Sequence, residues 1–140
     1  MRSRVTEILE SRGLVSVMNN TAWSELRSAI TTELPWAPAY QMKSLLSDQP
    51  DPRNFDPAPS YHGDWTDPLI WQDTLEIEWM RLSHCYAKHR GQLIAPEIVS
   101  LETELRELLN QLNAPRIYSE DSTMIFGYID STSRLEPNRA

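Results

Sequence analysis

The chain has 140 residues, 40% of them apolar and 24% charged, enough for one hydrophobic core and not for two. Thirteen basic against twenty acidic residues give a net charge of −7. That balance argues against a nucleic-acid backbone or an anionic membrane surface as partner, since both select basic surfaces. No apolar run approaches the roughly 18 residues of a membrane helix. The single cysteine, Cys85, allows no internal disulfide, so the expected location is cytoplasmic.

Residues 1–17 carry a short amphipathic pattern (Val5, Ile8, Leu9) that stops at Gly13. Glu7 and Glu10 interrupt what a signal peptide would keep apolar. Two readings stay open: an upstream extension with Met18 as the true start, or a first helix packed on the domain. From Met18 the pattern becomes regular. Asn19, Asn20 and Thr21 are good N-cap residues, and Trp23, Leu26, Ile30 and Leu34 then recur at helical spacing until Pro35.

"AYQMKSLL" alternates Tyr40 and Met42 against Gln41 and Lys43 and predicts a strand. Residues 47–60 carry four prolines and predict a loop. "SYHGDW" predicts a short strand, with a turn at "TDPL". "TLEIEWMRLSHCY" places Leu75, Ile77 and Trp79 on one face of a strand, then slips at Met80 and Leu82, the sign of a bulge or of a second covered face. "APEIVSLETELRELLNQLNAP" predicts one long helix, with Pro96 in its first turn and a stripe of Ile98, Leu101, Leu105, Leu108 and Leu112. A closing hairpin follows, Ile117–Tyr118 and Thr123–Ile129 around "SEDS", and from Asp130 a frayed tail. The expected fold is α+β: a single two-layer domain over 18–129, with an antiparallel or mixed sheet of about five strands and two main helices packed on one face.

Several of these pieces occur together and in order: "MNNTAWSELRSAI", "PAYQMKSLL", "GDW", "IEWMRL" and the terminal "IFGYI". They resemble an uncharacterised family of small bacterial proteins, a domain of unknown function, over residues 18 to about 129. The chain departs from that pattern at Phe126, where tyrosine is expected, and in its extra seventeen residues at the start. The resemblance implies a compact domain and carries no reaction and no catalytic residues.

The chemistry-bearing residues fall in three groups. His84, Cys85 and His89 combine ligand and nucleophile types, but their spacing fits neither one helical face nor a zinc-finger pair. The simpler reading is a strand running into a basic loop; a Cys–His pair assembled in space stays open. Second, Asp48 to Glu78 holds eight acids and one base, so the whole net charge lies in one 31-residue segment. Either this is a solvated surface, or it docks a basic partner by electrostatic steering. Third, Trp65 and Trp71 are either core or interface anchors on that acidic face, whereas Trp79 is assigned to the core.

No phosphate loop, nucleophile elbow or zinc signature occurs, and no cofactor or metal is implied. The leading reading is therefore a non-catalytic protein-binding module, of inhibitor or immunity type, docking a basic protein through Asp64, Trp65, Asp67, Trp71 and Asp73. The alternative is a small enzyme or small-ligand binder with a pocket near His62, Asp64 and His84.

Overall fold

The computed structural model describes residues 3–67, 71 and 73–130. The turn expected at "TDPL" and the tail beyond Asp130 lie outside the described residues, apart from Thr66 and Asp67. The class is α+β, as the element order predicted.

The centre is one antiparallel sheet. Strands β2 (Tyr40–Ser44), β3 (Ile77–Ser83), β6 (Arg116–Tyr118) and β7 (Ser122–Phe126) lie in the order β2-β3-β7-β6. Two short pairs stand apart from it: β1 (Val15–Ser16) with β8 (Tyr128–Ile129), and β4 (Cys85–Lys88) with β5 (Glu97–Ser100). The expected single sheet of about five strands is thus one sheet of four and two ribbons. Breaks at His84 and Gly127 separate the ribbons from the strands that lead into them.

Strand register assigns the faces, because successive side chains alternate sides. Met80 lies opposite Met42 and Ile125, and Leu82 opposite Tyr40 and Thr123. That face packs in the core with helix α2 (Asn20–Glu33), through Trp23, Leu26 and Ile30, and with α3 (Glu102–Leu112), through Leu105, Leu108 and Leu109. Asn19 caps α2, its side chain accepting from the Ala22 amide at 2.8 Å, which confirms the cap read from the sequence.

The opposite face is covered by the proline-rich loop. Gln41 is 5% exposed and donates to the carbonyls of Pro52 and Arg53; Ser83 donates to the Asp56 carbonyl; Arg81 stacks 3.9 Å from the Phe55 ring centre. The slip at Met80 therefore has both expected causes. Register shifts where Lys43 faces Trp79 but Ser44 faces Ile77, leaving Glu78 as the extra residue, and the second face is covered too. At this bulge the Gly127 amide donates to the Glu78 carbonyl, and a Cβ on Gly127 would sit 2.1 Å from the Ile77 carbonyl oxygen. Only glycine admits that approach.

Three expectations are corrected. Leu75 is not on a buried strand face but exposed, in a 3-10 turn (Thr74–Glu76) before β3. "SYHGDW" forms no strand; residues 60–67 are irregular. The long helix begins at Glu102, and Glu97–Ser100 is strand β5, so Ile98 is 57% exposed instead of core. The β-branched pair Ile98–Val99 suits an extended partner for β4, and that partner decides the outcome. Leu101 remains buried as the residue that turns the chain into α3.

Residues 3–17 are folded and attached. Helix α1 (Arg4–Arg12) is capped by Ser3 and closed by Gly13 at φ 65°, and it buries no side chain. An ionic tie joins it to the sheet: both terminal nitrogens of Arg12 donate to the Glu78 carboxylate at 2.9 Å, and Lys43 adds a third bond at 2.8 Å. Burial pushes the Glu78 carboxyl up, but the bonds from Arg12 and Lys43 outweigh it and hold it below its ordinary value. A carboxyl depressed in the folded state contributes stability above its unfolded value, about 4.3, and loses it as pH falls through the folded one. Glu78→Gln should therefore lower the melting temperature at pH 7, and by less near pH 3. Equal losses at both pH values would show that the carboxylate charge is not what matters.

Candidate functional site

The segment from Ser60 to Glu76 gathers most of the residues singled out by sequence. Its tryptophans face inward. Trp65 is 1% and Trp71 8% exposed, their rings stacked with centres 5.2 Å apart, and Tyr40 meets both edge-on. The Trp65 indole donates to the Pro38 carbonyl at 2.7 Å. That same carbonyl lies 2.1 Å from where a Cβ on Gly63 would stand, so the glycine of "GDW" lets the chain approach close enough for the bond. These rings are core and offer no anchor to a partner. Trp79, assigned to the core by sequence, is only half-buried on the loop-covered face. The alternation holds there, but the bulge decides which side is interior.

The acidic residues divide by role. Asp64 is exposed and organises its own turn: its carboxylate accepts from the Thr66 amide, the Thr66 hydroxyl and the Asp67 amide at 3.0 to 3.1 Å. Those bonds, the Thr66 amide first, hold the carboxyl below its ordinary value. The Asp64 carbonyl accepts from the Tyr40 hydroxyl at 2.7 Å. Burial, reinforced by Asp64 and Asp67, pushes that phenol up to about 12. Asp67 is half-buried. Asp73 is exposed and stands beside Glu76, whose carboxyl is raised by burial first and then by the Asp73 charge and hydrogen bond. Asp48, Asp51 and Asp56 are exposed along the proline-rich loop, where Asp51 bridges the Met42 backbone at the edge of the sheet. Glu78 is matched by Arg12 and Lys43.

The three histidines have different surroundings. His62 is exposed and stacks on Trp36, ring centres 5.3 Å apart, with the edge of Tyr86 at 4.5 Å. His84 is 1% exposed at the break between β3 and β4. Its Nε2 shares a hydrogen bond of 2.7 Å with the Thr123 hydroxyl, and its Nδ1 lies 3.4 Å from the Glu102 carboxylate. Burial lowers its basicity, with Glu102 opposing, so the ring is neutral at pH 7. Cys85 pairs opposite Ser100 in the ribbon, and His89 is exposed beyond its end. The pocket expected near His62, Asp64 and His84 is not formed by contacts among them, since each is held by other partners. Among the described residues no group of three His, Cys, Asp or Glu side chains could hold a metal ion, and no helix is long and apolar enough to cross a membrane.

Sequence reasoning missed two features. The β4–β5 arm carries Leu93, Ile94 and Ile98, all exposed, beside Lys88, His89 and Arg90. Placing Ile98 in a helical stripe hid that patch. The second is a cleft between the start of α2 and the Trp71–Thr74 segment, lined by Asn20, Trp23, Arg27, Trp71 and Asp73. The helical spacing of Asn20, Trp23 and Arg27 was visible, but the facing wall was not.

Fold and site together define a small α+β domain whose acidic and aromatic chemistry is concentrated in one irregular segment. The chain belongs to a family of unknown function (DUF6678), whose model matches residues 5–132. That agrees with the resemblance to an uncharacterised domain, and the match takes in most of the first seventeen residues as well. No curated protein and no solved structure matches the chain.

Proposed function

We propose that the protein is a non-catalytic binding domain that docks a basic protein partner through its acidic segment, as an inhibitor or immunity-type protein would. The observation that carries this reading is the distribution of charge. The whole net charge of −7 arises between Asp48 and Glu78, and five of those acids, Asp48, Asp51, Asp56, Asp64 and Asp73, are exposed. Charge presented in this way steers a basic surface into encounter and acts mainly on the association rate. The aromatic anchors expected on that face, Trp65 and Trp71, drop out of it because they are core.

The test begins by isolating a partner from the native host at low salt and repeating the capture at about 0.5 M salt, where charges more than roughly 5 Å apart are screened. Association of the purified pair is then timed for Asp48→Asn/Asp51→Asn. Stability should hardly change, because exposed charges contribute under about 1 kcal/mol. The association rate should fall several-fold at low salt, with a flatter salt dependence. An association rate equal to that of the parent protein at low salt would leave these aspartates as solvated surface. Asp64 is left intact in this variant because its carboxylate builds the turn.

A further inference from the structure

The β4–β5 ribbon has one edge in use and one open. The Ala87 amide donates to the Pro59 carbonyl at 2.8 Å, away from β5, so Ala87 and the opposite residue Ile98 exchange no bonds. That orientation recurs at every second residue of an antiparallel ladder, so the backbone N–H and C=O groups of Ile98 and Ser100 point out of the ribbon. Among the described residues no strand pairs with that side of β5. An edge of this kind is a template for another strand, and a two-stranded ribbon gains from a third.

The side chains favour the same contact. Tyr86 and Val99 share one face, where Tyr86 packs against the rings of Trp36 and His62. Ile98 is on the other face and 57% exposed, and Leu93 and Ile94 near the tip are exposed as well. Charge selects the occupant. From Cys85 to Pro96 the chain carries Lys88 and Arg90 and no acid, whereas the first turn of α3, just after β5, carries Glu102 and Glu104. Strand β5 therefore runs from a basic tip to an acidic helix start. A second β5 laid antiparallel about a twofold axis brings each tip beside the other copy's helix start. The surface is complementary to itself.

We propose that the protein forms a twofold dimer in which β5 pairs with β5 of a second copy, giving a four-stranded sheet in the order β4-β5-β5-β4. With Val99 opposite Val99, Ile98 of each copy faces Ser100 of the other. Both outward sets of backbone groups are then satisfied without calling on Pro96, which has no N–H. Arg90 donates to the Ala95 carbonyl at 3.1 and 2.8 Å, which holds its charge close to the end of the strand. The contact uses few residues a side, the small end of specific interfaces, so its dissociation constant is on the order of 10 to 100 µM. Each copy folds without it. The aspartates of the acidic segment take no part, so this reading and the docking of a basic partner stand or fall separately.

Sedimentation velocity of the full chain from about 5 to 500 µM spans that affinity and tests the proposal. The parent protein should shift from monomer to dimer and stop there, because each chain offers one such edge. Ile98→Lys should stay monomeric throughout, with its melting temperature at the lowest concentration unchanged because Ile98 is exposed in the single chain. Arg90→Glu and Glu104→Arg should each weaken association several-fold, and the two together should restore it. A parent protein that remains monomeric at the highest concentration overturns the proposal, as does an Ile98→Lys variant that dimerises like the parent. Species larger than a dimer contradict the twofold closure. A double variant as weak as its single variants contradicts the antiparallel arrangement of tip and helix start.

Discussion

Trp65→Ala should cost about 3 to 5 kcal/mol, the usual range for truncating a buried aromatic side chain to alanine. Trp65 is 1% exposed, stacked on Trp71 and met edge-on by Tyr40, so its loss leaves a cavity bounded by rigid rings that collapse poorly. The Pro38 carbonyl also loses its indole donor. A buried acceptor left without a partner adds roughly 1 to 3 kcal/mol where water cannot replace the bond. Set against a typical total of about 5 to 15 kcal/mol, the substitution brings the domain close to unfolding at 37 °C. Urea titration followed by far-UV circular dichroism measures the loss. Trp65→Phe separates the two contributions, since it keeps most of the ring and removes the N–H. A loss below about 1 kcal/mol for Trp65→Ala would contradict the ring's place in the core.

Leu105→Ala is expected to cost about 2 to 5 kcal/mol. Leu105 is fully buried and packs in the core cluster with the sheet residues Met80, Leu82 and Ile125. Its informative partner is Ile98→Ser. On a continuous helix from residue 96, Ile98 would share the Leu105 stripe, and its substitution would be nearly as costly. On β5 it is more than half exposed, and the change should stay within about 0.5 kcal/mol. Comparable losses for the two variants would restore the longer helix; a large loss for Leu105 alone supports a start at Glu102.

That contrast shows where local pattern stops being sufficient. Ile98, Leu101, Leu105, Leu108 and Leu112 keep helical spacing throughout, so nothing within the stretch separates its first four residues from the rest. The separation comes from Cys85–Lys88, a dozen residues upstream, whose backbone pairs with Glu97–Ser100. Trp65 and Trp79 make the same point. Both sit in aromatic-acidic surroundings, and their burial is decided by what crosses them: the Pro38 turn and Tyr40 over one, the bulge at Glu78 under the other.

What the amino-acid sequence determined by itself was everything carried by period, capping and charge balance. The stripe of Trp23, Leu26 and Ile30 after an Asn19 cap is helix α2, the alternation at Tyr40–Lys43 is β2, the closing hairpin is β6 and β7, and their succession is α+β. Each depends on interactions within about four residues or on the side-to-side alternation of one strand. The tertiary structure alone decided the second covered face, the Arg12–Glu78 attachment of α1, the split of the sheet into four strands and two ribbons, and the cleft between α2 and the Trp71–Thr74 segment. Each of these joins residues from separate elements, most of them more than ten positions apart. Sequence spacing carries no record of which distant backbone group or charge a side chain will meet, and only the folded chain brings them together.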